Sequence, residues 1–160
     1  MSHTSTISAV KITDINALRA AVNDLNAQGV SCRLVENKVP VSYTTGRQAG
    51  MSEPAEFCLE IDNASYDIGI YNIGNGQHEC RTDFWNGSVE AALGADASYV
   101  NSIDGSTPEG REEREMARLG LLYTRYEYHA VNNAVAIQGG SVEETVLEDG
   151  SIQLVCRAAA

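Results

Sequence analysis

The residues best able to bind a metal are three histidines and four cysteines. In His78-Glu79-Cys80 a histidine and a cysteine stand two apart, on the same face of an extended strand. Together with Cys58 on a neighbouring strand they supply the donor types of a zinc site. A closed site needs four ligands, and no second close pair of ligands is present. The simpler expectation is a buried thiol beside a histidine at the rim. His3, on a first strand, is a metal ligand, a partner contact or a solvated side chain. His3, His78 and Cys80 are therefore carried forward as metal candidates, with no metal or other cofactor expected.

Asp62, Asp67 and Asp83 are placed to gather along one sheet edge, and paired carboxylates are what general acid and base chemistry requires. In so acidic a chain, turn-forming and solvating roles are expected instead. No G-x-G-x-x-G or G-K-[ST] run is present to cradle a phosphate. Tyr123, Tyr126, Tyr128 and His129 form an aromatic cluster at helical spacing. Tyr123 and Tyr126 share the core-facing side. Tyr128 and His129 lie off it, and they become the candidate partner-binding residues, because amphipathic rings suit a surface that is covered only some of the time. No nucleophile, base and orienting group can be named together, so no catalytic residue is assigned.

The chain has 160 residues, 43% of them hydrophobic, with 22 acidic and 11 basic side chains and a net charge of −11. The length fits a single domain spanning 1–160 with an adequate core of its own. The negative charge argues against direct binding to phosphate backbones. No apolar run reaches the ~18 residues that a membrane span requires, and the N-terminus lacks the pattern of a secretory signal. A soluble intracellular protein is expected, with Cys32, Cys58, Cys80 and Cys156 as reduced core thiols.

Several elements must position these groups. Residues 5–12 read as a first strand. Thr13 or Asp14 then caps a helix whose Ile15, Leu18, Val22 and Leu25 form one apolar stripe ending at Gly29. Val30 to Val35 reads as a strand, and Glu36 to Pro54 as an irregular, mobile loop. Phe57, Leu59 and Ile61 form the buried face of the next strand. Tyr66 to Trp85 reads as a hairpin turning at Asn75-Gly76. Residues 86–110 read as connection, with a short helix near Val89 to Leu93. From Glu109 a helical stripe runs through Met116, Leu119, Tyr123, Tyr126, Ala130, Ala134 and Ile137, with a kink expected at Gly120. Val142 to Leu147 and Ile152 to Cys156 flank Asp149-Gly150 as a last hairpin, followed by a fraying tail. This order predicts an α+β fold: an antiparallel sheet with two main helices on one face, ferredoxin-like or a near relative.

Several of these segments together resemble a known family. They are Met1-Ser2-His3 opening a first strand, Tyr66-Asp67-Ile68-Gly69, Asp83-Phe84-Trp85, Tyr126-Glu127-Tyr128-His129-Ala130-Val131, and the closing run from Glu148 to Arg157. The chain is similar in these segments to the uncharacterised hypothetical-chloroplast-frame thirty-five proteins of plastids, cyanobacteria and phages. It departs from their pattern at Thr4, where an aromatic residue is usual, and in a longer 86–115 connection. The resemblance implies a protein of the bacterial or phage-infected cytoplasm, or of the plastid stroma. It also implies a protein partner, with a MoxR-like AAA+ ATPase as the candidate.

The expected function is that of a small acidic interaction module docking through a sheet edge or through Tyr128 and His129. The alternative is a phage-encoded acidic inhibitor that mimics nucleic acid, its charge speeding association with a basic groove. A metal-assisted enzyme using His3 and His78 is the third reading.

Overall fold

The computed structural model describes residues 4–149 and 151–158. Strand β1 (Ser5–Ile12) leads into helix α1 (Ile15–Ala27), followed by β2 (Cys32–Lys38), β3 (Ala55–Ile61), β4 (Ile68–Gly74) and β5 (Gln77–Thr82). Next come α2 (Ser88–Ala92), α3 (Ala97–Ser102), α4 (Pro108–Arg118), α5 (Gly120–Ile137), β6 (Ser141–Val146) and β7 (Ile152–Arg157). The first five strands form one antiparallel sheet in the order β1-β5-β4-β3-β2, and β6 and β7 form a separate hairpin. The α+β architecture is the expected one. Its strand order is a four-strand meander closed by β1, so its kinship with the ferredoxin-like sandwich lies in layers and not in interleaved strands.

Local chemistry accounts for much of this. The Asp14 carboxylate accepts the Ala17 N–H at 3.0 Å and starts α1, whose Leu18, Ala21, Val22 and Leu25 are all buried. Asn75 and Gly76 both take positive φ, as a tight turn between β4 and β5 requires. Ile7, Phe57, Leu59, Ile61, Ile68, Ile70 and Cys80 pack with α1 and with Leu119, Leu122, Tyr123 and Tyr126. The two long helices therefore cover one face of the sheet.

Four expectations need correction. Strand β2 begins two residues later than Val30 and continues to Lys38, because Glu36 and Lys38 pair with Phe57 and Ala55. Residues 39–54 are irregular chain, as expected, but they cross the second face of the sheet and send several side chains into it. Met51 is fully buried against Ala55 and Tyr71, and Ser42 and Gln48 are buried as well. Residues 86–110 are not mere connection, since Val89, Leu93, Val100 and Ile103 are buried on and beside α2 and α3. The long helical stripe is interrupted at buried Leu119, just before Gly120 where the kink was expected, but it leaves the core beyond Ala130, so that Ala134 and Ile137 are exposed. The 108–118 half forms a separate helix, stabilised by Pro108 in its first turn and by the Thr107 cap.

The second face explains Gly69. A side chain there would lie 2.5 Å from the Tyr71 ring and 2.8 Å from Pro40, so only glycine lets the 39–54 segment approach the sheet. The segment is then tied down along its length. Gly50 O accepts from Arg81, and Glu53 O accepts from the Tyr71 hydroxyl. Among the described residues, no helix is long and apolar enough to cross a membrane.

Candidate interaction surface

Two buried carboxylates hold the start of the 39–54 segment. Asp67 Oδ2 accepts the Val41 N–H at 2.8 Å, and Asp83 Oδ2 accepts the Tyr43 N–H at 3.1 Å. Between them, Ser42 donates its N–H to Thr45 Oγ1 at 3.1 Å. Asp67 also receives Lys38 Nζ at 2.8 Å and the Cys58 thiol at 3.5 Å, and Lys38 bonds Glu60 as well. Burial opposes the Lys38 charge, but Asp67 and Glu60 outweigh it and raise the Lys38 pKa. Burial, and next the Asp67 charge, push the Cys58 thiol up, so it is held as an inert thiol.

Asp83 is arranged differently. Its side chain is fully buried, and its bonded partners among the described residues are N–H groups and not cations. Oδ1 accepts the Trp85 N–H at 2.9 Å. The Gln48 amide, turned so that both its ends are satisfied, donates to Oδ2 at 3.1 Å while its oxygen accepts the Thr4 N–H at 3.1 Å. A single carboxylate thus fixes the backbones of Tyr43 and Trp85 at once. Their rings meet on the outside with centroids 5.1 Å apart and planes tilted by 48°. Tyr43 is 58% exposed, and Trp85, the only tryptophan in the chain, is 47% exposed. Val41, two residues from Tyr43, is exposed too.

The residues singled out from the sequence lie elsewhere. His78 is buried against Phe57, with Nε2 2.8 Å from Glu56 Oε2 and a buried Nδ1 that has no partner. Cys80 shares its face and lies fully buried beside the Tyr123 hydroxyl, which lacks a hydrogen bond of good geometry. Burial pushes the Cys80 thiol up to about 11. Cys58 cannot join His78 and Cys80, because β4 runs between β3 and β5 and its row mates are Gly69 and Arg81 on the opposite face. Among the described residues, no three His, Cys, Asp or Glu side chains are grouped so as to hold a metal. His3 lies outside the described residues.

Tyr128 and His129 are half-buried and already engaged. His129 Nε2 lies 2.7 Å from Asp24 Oδ2 on α1, and Arg125 covers the Tyr128 ring at 4.7 Å. Arg125 also bonds Asp24 at 3.0 Å and Glu144 on β6 at 2.9 Å, so the group clamps α1, α5 and the last hairpin together. Burial opposes the Asp24 charge, yet the His129 and Arg125 bonds hold its pKa below the ordinary value. Tyr123 and Tyr126 are core residues as expected, and the Tyr126 hydroxyl receives the Thr13 and Asp14 N–H groups.

Asp62, Asp67 and Asp83 do not gather into one site. Asp62 is exposed and pairs with Arg33 and Ser31, whereas the other two are buried anchors and not the solvated turn residues expected of them. The Tyr43–Trp85 pair was missed from sequence because its members lie far apart in the chain. The available signal was the single tryptophan, directly after Asp83-Phe84. No protein family, no curated protein and no solved structure matches this chain.

Proposed function

We propose that the chain is an accessory interaction module that docks on a larger protein partner through the Tyr43–Trp85 surface. The observation that carries this reading is an exposed aromatic pair whose two backbone N–H groups are bound by one fully buried carboxylate. Tyrosine and tryptophan are the side chains most often found to anchor interfaces, and pre-fixed backbones lower the ordering cost of association. Tyr128 and His129, the sequence candidates, are tied to Arg125 and Asp24 and offer less free surface. The resemblance adds a first partner to try, a MoxR-like AAA+ ATPase.

Acidic mimicry of nucleic acid is less favoured on this geometry. Asp24, Glu36, Glu60, Asp62, Asp67 and Glu79 are each engaged by a basic side chain, so these six carboxylates do not present a row of free charges as phosphates would. The test is affinity capture from host lysate, eluted in rising salt and identified by mass spectrometry, with the native chain beside the Tyr43→Ala/Trp85→Ala variant. An identified partner that resists salt and is lost from the variant is the expected result. Partners that leave early in the gradient and bind nucleic acid would overturn it in favour of mimicry.

A further inference from the structure

Two asparagines in the chain precede a glycine, Asn75 and Asn86, and both stand exposed with positive φ, at 56° and 65°. The pairing matters chemically, because a glycine nitrogen, with no Cβ beside it, can close on the side-chain amide of the residue before it.

Asn86 is kept from doing so by three bonds. Its Oδ1 accepts the Ser88 N–H at 3.0 Å, and its Nδ2 donates to Ser65 Oγ at 3.3 Å. The Gly87 N–H, the group that would attack, donates to Phe84 O at 3.1 Å. Asn75 has none of these restraints. The neighbouring bond, from the Gly74 N–H to Asn72 Oδ1 at 2.8 Å, leaves the Asn75 amide and the Gly76 N–H without hydrogen-bond partners among the described residues. Gly74, Asn75 and Gly76 all take positive φ, and a side chain at either glycine would meet nothing within 4 Å. The turn therefore stands clear of the body of the fold, with room for the ψ rotation that ring closure needs.

We infer that Asn75 is a site of spontaneous modification, converting to aspartate and isoaspartate with water as the co-reactant, while Asn86 is held inert. The Gly76 nitrogen gives up its proton to solvent base and bonds to Asn75 Cγ. The Cγ–Nδ2 bond breaks, and Nδ2 leaves as ammonia with a proton returned from solvent. Water then opens the cyclic imide, at Cγ to give aspartate or at the backbone carbonyl to give isoaspartate, and no electrons change hands. Each product adds a negative charge to the tip of the β4–β5 hairpin. Isoaspartate also adds a methylene to the backbone of a tight turn, which then no longer holds Gly74 opposite Gln77.

The test incubates the full native chain in mildly alkaline buffer beside a matched sample in urea, until the urea sample has converted at both sites. Peptide mass spectrometry locates the change of amide to acid, and electron-transfer fragmentation separates isoaspartate from aspartate. In the native chain, conversion at Asn75 is expected to outrun that at Asn86 by roughly ten- to a thousand-fold, the rate equivalent of three ordinary hydrogen bonds. In urea the two rates are expected to converge. Ser65→Ala, which frees the Asn86 Nδ2, should speed conversion at Asn86 by roughly two- to ten-fold and leave Asn75 unchanged. Circular dichroism of the incubated native sample shows that the chain was folded throughout. Equal rates at the two sites in the folded chain overturn the inference, as does an Asn75 that stays an amide there while it converts in urea.

Discussion

Replacing Asp83 by asparagine tests whether one buried carboxylate organises the surface. Asp83 receives three N–H donors, two on Oδ2 and one on Oδ1. Asparagine keeps one carbonyl oxygen, which will face Tyr43 and Gln48, and turns its NH2 group toward the Trp85 N–H. That leaves two donors facing each other and removes the charge from the other two bonds. A hydrogen bond to a charged group contributes ~1.5–3 kcal/mol, and an orphaned buried donor costs ~1–3 kcal/mol. The expected destabilisation is about 3 kcal/mol, or about 6–12 °C in Tm for a chain of this size. Asp83→Ala removes both acceptors and should cost more, at about 5 kcal/mol. The assay is thermal unfolding followed by circular dichroism, with hydrogen exchange at the Tyr43 and Trp85 amides as the local readout. Faster exchange at those two amides should accompany the fall in Tm. A Tm within 2 °C of the native value (about 1 kcal/mol or less), with both amides still protected, would refute the anchoring role.

Other consequences can be checked as directly. Tyr123→Phe removes a buried hydroxyl without a good partner, so Tm should hold or rise by about 2–4 °C; a fall of that size would reveal a working bond to Cys80. A thiol reagent should label one cysteine in the native chain, Cys156, and all four in denaturant, because Cys32, Cys58 and Cys80 are buried. Labelling of Cys58 at the same rate as Cys156 would show the 39–54 segment to be open. Asp24 is held below 3.8 and Glu60 below 4.5 in the folded chain, so their stabilisation is present above those values and is lost as pH falls beneath them. Urea midpoints of the native chain and Asp24→Asn should therefore differ at pH 6 and converge below about pH 3.8. A constant offset down to pH 3 would contradict the clamp.

What the sequence revealed follows from how locally each feature is encoded. Helix α1 and the turn at Asn75-Gly76 were legible because the cap, the stripe and the positive-φ residues lie within a few positions of one another. The short helix expected near Val89 to Leu93 is α2, but α3 was not legible, since it is six residues long and bounded by the glycine, asparagine and aspartate that also make loops. Pro40, Gly46, Gly50 and Pro54 look the same in a packed segment as in a loose one. What fixes that segment is Gly69, which offers room for Pro40, together with Asp67 and Asp83, which read as ordinary acids in an acidic chain. Cys156 shows the reverse error. Its apolar neighbours suggested burial, but the outer positions of a two-stranded hairpin stay open to solvent. The aromatic pair depends on two distant segments meeting over one buried carboxylate, and no local pattern announces that.

The sheet order also sets a timetable for the growing chain. Strands β2 to β5 each pair with a neighbour in sequence, whereas β1 pairs only with β5, Ser5 lying opposite Thr82. On a ribosome the first strand is therefore released long before its partner has been made. At roughly 5–20 residues per second the delay amounts to several seconds. Throughout that interval Ile7 and Ile12, both fully buried in the finished fold, have no sheet to join. Of the five strands of this sheet, β1 is thus the one that waits longest for its partner.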